Sequence, residues 1–251
     1  MNQPRKVRYG SLDSYVIDGE SSQPPTALVV LCHGYGAPGS DMVGVVGEWV
    51  HLLGDTASKV RFICPIAPHS LAELGMPSGR AWWALNMAKL MDAVQAERFD
   101  ELHHAVPPGL DQARSDLSQL IQLALEELAG QRHCDVADIP LAMGGFSQGA
   151  MLTMDTAVRG DVPPPNLLML FSGTVICQPR WTAALPRLEN THVYQAHGTL
   201  DPILPYASAE RLRDLIAAAG IDSQFHSFAG PHTIDAESIV STAMAIRHLV
   251  S

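Results

Sequence analysis

Short runs of Val, Ile, Leu and Phe recur along the chain at 26–32 (TALVVLC), 59–66 (KVRFICPI), 139–146 (IPLAMGGF), 167–171 (LLMLF), 192–196 (HVYQA) and 223–228 (SQFHSF). Each has the length of a β-strand. Between most of them, over 110–129, 149–159, 206–219 and 233–249, apolar residues fall at helical spacing. In the first of these stretches Leu110, Ala113, Leu117, Leu120, Ile121, Ala124, Leu125 and Leu128 form one stripe, which Gly130 is expected to end. Strands alternating with amphipathic helices predict an α/β fold with a mostly parallel central sheet and helices on both faces. Parallel neighbours need crossovers, and crossovers cover the sheet. Ligands in such folds bind beyond the carboxyl ends of the strands, so the residues just after each apolar run matter most.

The stretch 67–109 breaks the alternation. It carries Met76, Trp82, Trp83, Met87 and Met91, and reads either as an ordinary crossover with a buried helix face or as an insertion covering a pocket. With no internal repeat and no linker-like tract, residues 1–251 are expected to form a single domain. The formal net charge of −10, from 16 Lys+Arg against 26 Asp+Glu, argues against nucleic acid and anionic lipid as partners. A small neutral or apolar molecule fits better, and nothing bars a homodimer. Cys32, Cys64, Cys134 and Cys177 are widely spaced without a C-x-x-C pair, which favours reduced, packed thiols. The N-terminal stretch lacks the apolar core of a signal peptide, and no run reaches the length of a membrane span, so a cytoplasmic location is expected.

The strongest local signal is Gly145-Phe146-Ser147-Gln148-Gly149, set between an apolar run and a helical one. A serine there occupies a sharp strand-to-helix turn that lifts its hydroxyl to the sheet's edge, although a plain helix N-cap would also suit it. A serine hydroxyl needs a base, and the base needs an acid to orient it. Asp201 follows the run HVYQA and His232 follows SQFHSF, both at the edge expected for Ser147. Of the rival histidines, His226 lies within a strand, and His197 precedes Gly198 and suits a loop-fixing role. His69, His103 and His104 lack companions at metal-ligand spacing, so no metal site is expected. Asp235 and Glu237 belong to the first turn of the next helix, where carboxylates favour the dipole.

A second loop, VVLCHGYGAPGSD, spells G-x-G-x-x-G from Gly34 to Gly39. A dinucleotide fingerprint would want a carboxylate near the end of the following strand, but that strand ends ICPIAP, and Pro38 intrudes between the glycines. The loop reads better as half of an oxyanion hole, with the backbone N–H of Tyr35 joining that of Gln148.

Taken in order, HGYG, GRAWW, GFSQGA, FSG, HGTLDPILP and PHTI resemble the phospholipase/carboxylesterase and acyl-protein thioesterase group of α/β-hydrolases, from about Thr26 to the end. The resemblance implies Ser147 as nucleophile, Asp201 as acid, His232 as base, and the amides of Tyr35 and Gln148 as oxyanion donors. It further implies that Trp82 and Trp83 border the acyl or alcohol pocket, beside an equally open structural role. Pro231, Ala37 and Ala84 depart from the group's usual residues; Pro231 is expected to stiffen the histidine loop without loss of activity, while the other two, with the 84–109 segment, leave substrate preference open. No cysteine near the N-terminus suggests palmitoylation, so no stable membrane association is expected. The reading is a cofactor-free serine carboxylesterase acting on small to medium acyl esters or thioesters. A peptidase or perhydrolase with the same three residues is the alternative in chemistry, and a non-catalytic binding protein the alternative in class.

Overall fold

The computed structural model describes residues 3–19 and 21–251. In chain order the elements are β1 (Arg5–Tyr9), β2 (Leu12–Asp18), β3 (Ala27–Cys32), α1 (Asp41–Leu53), β4 (Val60–Pro65), β5 (His69–Ser70), β6 (Arg80–Ala81), α2 (Met87–Gln95), α3 (Phe99–His104) and α4 (Leu110–Arg132). They continue as β7 (Leu141–Phe146), α5 (Gln148–Arg159), β8 (Leu167–Phe171), α6 (Gln178–Ala184), β9 (His192–Gly198), α7 (Tyr206–Ala218), β10 (Ser223–Phe228) and α8 (Ala236–Leu249). Eight strands make one sheet in the order β1-β2-β4-β3-β7-β8-β9-β10, while β5 and β6 form a separate antiparallel pair. β2 is antiparallel to both its neighbours, and every pairing from β4 to β10 is parallel.

β3, β4 and β8 are buried at every residue, which explains why β3 and β8 read as unbroken apolar runs, while in β4 the one break, Arg61, is paired with Asp18 and Glu127. A strand covered on both faces has no polar side to show. α1 and α8 cover one face, where Met42, Val46, Trp49 and Ile246 pack on Leu31, Phe62 and Tyr194. α4, α5, α6 and α7 cover the other, and the whole predicted stripe of α4 is buried there.

Several local expectations need correction. Gly130 does not end α4, which runs through to Arg132; the left-handed turn falls on His133 (φ 55°). The last helix starts at Ala236 rather than 233, because Asp235 caps it by accepting the Ser238 amide. The β1–β2 hairpin escapes a search for apolar runs because RKVRY buries only Tyr9. Its turn is nevertheless written at Gly10, whose φ of 57° suits a two-residue hairpin. α1 is masked by Gly44 and Gly47, though Met42, Val46, Trp49 and Leu53 form its buried stripe. The crossover into β7 is made by α4, so the stretch 67–109 is inserted ahead of it, holding β5, β6, α2 and α3. No helix among the described residues is long and apolar enough to cross a membrane.

A carboxylate is fully enclosed in the helical layer. Asp155 on α5 is 0% exposed and accepts from Arg114 of α4 (2.9 Å), Arg159 (2.8 Å) and the Trp181 indole of α6 (2.8 Å). Such a carboxylate joins three helices, and its removal strands two guanidinium groups and an indole N–H. Both arginines keep contact with the exposed Asp111, which limits the cost. Asp155→Ala is therefore expected to lose about 3 kcal/mol of stability, the lower end for a broken buried pair, in urea unfolding followed by circular dichroism. A loss below 1 kcal/mol would show that the network is not a structural tie.

Candidate active site

The parallel run of β3, β7, β9 and β10 sets their carboxyl ends along one edge of the sheet, and His33–Gly36, Ser147, Asp201 and His232 all follow those ends. Ser147 sits between β7 and α5 at φ 55°, ψ −118°, a conformation unfavourable for any residue with a Cβ. The turn is held by main-chain bonds: the Ser147 amide donates to the Phe171 carbonyl (2.9 Å), and the Ser147 carbonyl accepts from Ala150 (3.0 Å). It is also crowded. A Cβ on Gly145 would stand 2.4 Å from the Gly149 carbonyl, and one on Gly149 would stand 2.3 Å from that of Cys32. Only glycine fits either place. Although Ser147 holds the N-cap position, its side chain makes no capping bond, leaving the hydroxyl free.

Asp201 and His232 meet as the sequence predicts. His232 Nδ1 lies 2.6 Å from Asp201 Oδ2, and the other oxygen, Oδ1, accepts the amides of Ile203 (2.8 Å) and Leu204 (2.9 Å). A carboxylate can only accept, so the proton of His232 sits on Nδ1 and Nε2 carries the lone pair. Burial pushes the Asp201 carboxyl up, but hydrogen bonds from His197, His232 and the Leu204 amide outweigh it and hold the group well below the usual carboxylate range. The His232 ring lies against Phe146, the residue before Ser147, with centroids 4.7 Å apart. The loop that carries it is tied to β8 by the Ser172 hydroxyl, which donates to the Thr233 carbonyl (2.9 Å).

The HGYG loop lies directly over the serine, since a Cβ on Gly34 would be 3.3 Å from that of Ser147. The amides of Tyr35 and Gln148 donate no hydrogen bond among the described residues and remain available. Two side chains that sequence reasoning missed hold this corner. His33 Nε2 accepts the Ala67 amide (3.0 Å), so its proton lies on Nδ1, which donates to the Gly34 carbonyl (2.8 Å). Gln148 clips the GRAWW stretch by accepting the Trp82 amide and donating to the Trp83 carbonyl, each at 3.0 Å. Trp82 and Trp83 are each only 1% exposed and belong to the core. The Trp82 indole donates to the His33 carbonyl (2.8 Å), so this residue braces the loop.

The rival groups have other employment. His226 bonds Asp235 (3.1 Å) and with Glu237 forms the one His/carboxylate cluster among the described residues that could close around a cation. Asp235 is already engaged as the α8 cap, one residue ahead of the first turn in which it was expected, whereas Glu237 does lie in that turn. His103 is buried against the Ser208 hydroxyl (3.0 Å). Cys32, Cys64 and Cys177 are buried free thiols, and burial pushes Cys32 and Cys177 up to about 12, too high for a thiolate nucleophile.

Burial also pushes the imidazoles of His33 and His103 below their ordinary value. Each is neutral when folded and takes up a proton near pH 6.5 once unfolded. Their stabilising contribution is complete above that pH and is lost as pH falls towards the folded values. Unfolding free energy should decline between pH 7 and 5 by up to about 1.4 kcal/mol per pH unit per histidine, as read from urea titrations at each pH. A flat profile would mean that these rings are charged or exposed.

The model of the phospholipase/carboxylesterase family matches residues 15–249. An acyl-protein thioesterase 1 of Mycosarcoma maydis is 27% identical over 250 residues, covering 95% of this chain and 98% of its own. One of Eremothecium gossypii is 28% identical over 198 residues, covering 75% and 72%. Among solved structures, esterase PE8 aligns with a TM-score of 0.71 at 24% identity, covering 95% of this chain and 99% of its own. Acyl-protein thioesterase 2 of Zea mays aligns at 0.67 and 19%, with the same coverage. These likenesses place the sheet and its helices among α/β-hydrolases, and the family match extends over nearly all of the chain. The chain belongs to the phospholipase/carboxylesterase family of α/β-hydrolases.

Proposed function

We propose that the protein is a serine hydrolase that cleaves small to medium acyl esters or thioesters through an acyl-enzyme. The observation that carries this reading is the hydroxyl of Ser147, uncommitted to capping on a strained turn, next in sequence to Phe146, whose ring lies against a histidine already paired with a buried carboxylate. Strain kept at such a position, with no cap bond to justify it, points to use of the side chain.

In this scheme Ser147 Oγ attacks the acyl carbonyl while His232 Nε2 takes its proton, and Asp201 stabilises the imidazolium that results. The carbonyl oxygen becomes an alkoxide facing the amides of Tyr35 and Gln148. Collapse breaks the bond to the alcohol or thiol, which leaves with the proton from His232. Water then attacks the acyl-serine by the same route in reverse roles, releasing the acid. Every proton moves between groups of this chain, substrate and water, so the scheme calls for no cofactor. The thioesterase names of the relatives support thioesters beside oxygen esters as substrates.

Turnover of aryl esters, acyl thioesters and short peptides, measured side by side, tests the substrate class. Esters and thioesters should be cleaved, whereas peptide cleavage with inert esters would make the protein a peptidase on the same scaffold. A fluorophosphonate should label Ser147, and Ser147→Ala should lower kcat on the order of a million-fold with an unchanged circular dichroism spectrum. Asp201→Asn should cost about 10⁴-fold by favouring the wrong imidazole tautomer. Folded protein that neither reacts at Ser147 nor turns over any acyl substrate would be a binding protein instead.

A further inference from the structure

His197 closes β9 four residues before Asp201 and is 0% exposed. Its Nε2 stands 2.8 Å from the Leu204 carbonyl and 3.2 Å from Asp201 Oδ2. Both partners only accept, so Nε2 carries a proton, which faces the Leu204 carbonyl and, at the longer distance, Asp201 Oδ2. Nδ1 is buried with no partner among the described residues. That is a costly way to place a histidine in a core, since a buried polar atom without a partner loses its hydration for nothing. What the ring gains is held at Nε2 alone: the Leu204 carbonyl, and the carboxylate oxygen that also faces His232.

We infer that His197 is a positioning residue for the reaction, a second imidazole that holds Asp201 Oδ2 in line with His232 and tempers its pull on the His232 proton. The inference rests on the serine-hydrolase reading and deepens it. With Oδ1 saturated by two amides and Oδ2 by two imidazoles, the carboxylate has no free direction in which to rotate or take up water. Donation from His197 withdraws electron density from Oδ2, which weakens the acceptor seen by His232. Two demands are thereby met together: the base stays oriented, and it is not made so basic that it arrives already protonated.

The groups around this cluster are few. His232 faces it from the loop after β10, and the Tyr206 ring of α7 lies 6.3 Å from that of His197. On the adjoining β10, Ser227 is the register partner of His197. His226 pairs with Ala196 and turns with it to the α8 side, where it meets Asp235 and Glu237.

His197→Phe keeps the ring and removes the donor, whereas His197→Gln places an amide N–H the same number of bonds from Cβ as Nε2. For the Phe variant the acid limb of kcat/KM should move to higher pH by about one unit, because Asp201 then holds the His232 proton more strongly. Its kcat on the pH plateau should fall by about 10- to 100-fold with KM within about twofold. The Gln variant should restore most of both. The low-field proton resonance of the His232–Asp201 bond should shift in the Phe variant and return in the Gln variant, a readout that needs no turnover. A Phe variant with a lower Tm but an unmoved acid limb and resonance would overturn the inference and leave His197 a packing residue. Unaltered turnover by Ser147→Ala would instead sink the serine-hydrolase reading, whatever His197 does.

Discussion

The site depends on the contact between the start of α5 and the end of β3. The Gly149 backbone passes so close to the carbonyls of Cys32 and His33 that no side chain fits between them, and Gly145 is equally crowded from within the turn. This approach sets the first amides of α5 beside the HGYG loop. A hole for an oxyanion needs two donors fixed before any charge develops, and here the spacing is set by packed main chain rather than by adjustable side chains. Ser147 accepts an unfavourable φ as the cost of the same turn. The proposed nucleophile and the proposed hole are thus two results of one steric constraint.

The acid–base half is held differently. Asp201 and His232 stand on loops after β9 and β10, and loops do not fix geometry by themselves. Hydrogen bonds do it instead, with four donors on one carboxylate and Ser172 fastening the histidine loop from β8. Gly198 adds a close approach, since a Cβ there would stand 2.3 Å from the Gly230 carbonyl. Low dielectric strengthens each of these bonds and makes any one left unmade expensive. The four donors outweigh the burial of Asp201, so its charge persists where an unpaired carboxylate would neutralise itself.

Much of this is legible in the sequence, and the reason is geometric. Parallel strands turn sequence position into spatial position: whatever follows an apolar run arrives at the same edge, so Ser147, Asp201 and His232 can be placed without knowing how the chain packs. The N-terminal hairpin and α1 are harder to read, because one is polar on most of its surface and the other carries glycines within the helix. Least legible are the supports. Nothing in HGYG says that His33 grips the Ala67 amide, and nothing in GFSQG says that the Gln148 side chain clips Trp82 and Trp83. Those partners lie 34 to 66 residues apart, and only the folded chain reveals their pairing. The tryptophans show the same limit: as sequence they suit a pocket wall and a structural role equally, and only the fold shows that both are buried and that the Trp82 indole bonds the His33 carbonyl.

The two modes of support also separate what can vary from what cannot. Around the oxyanion corner, tolerance is set by volume, because any added atom meets a carbonyl or a neighbouring ring. Around Asp201 it is set by donor count, because each lost N–H weakens a charge that has no water to replace it. The inserted stretch 67–109 obeys neither rule along its whole length. Its inner part, Ala81 to Trp83, is locked into the core, and Ala93 and His103 anchor α2 and α3, whereas Leu74, Met87 and Met91 remain exposed. Change can therefore accumulate at those exposed positions, while Ser147, Asp201 and His232 stay where main-chain packing and the hydrogen bonds of the buried carboxylate hold them.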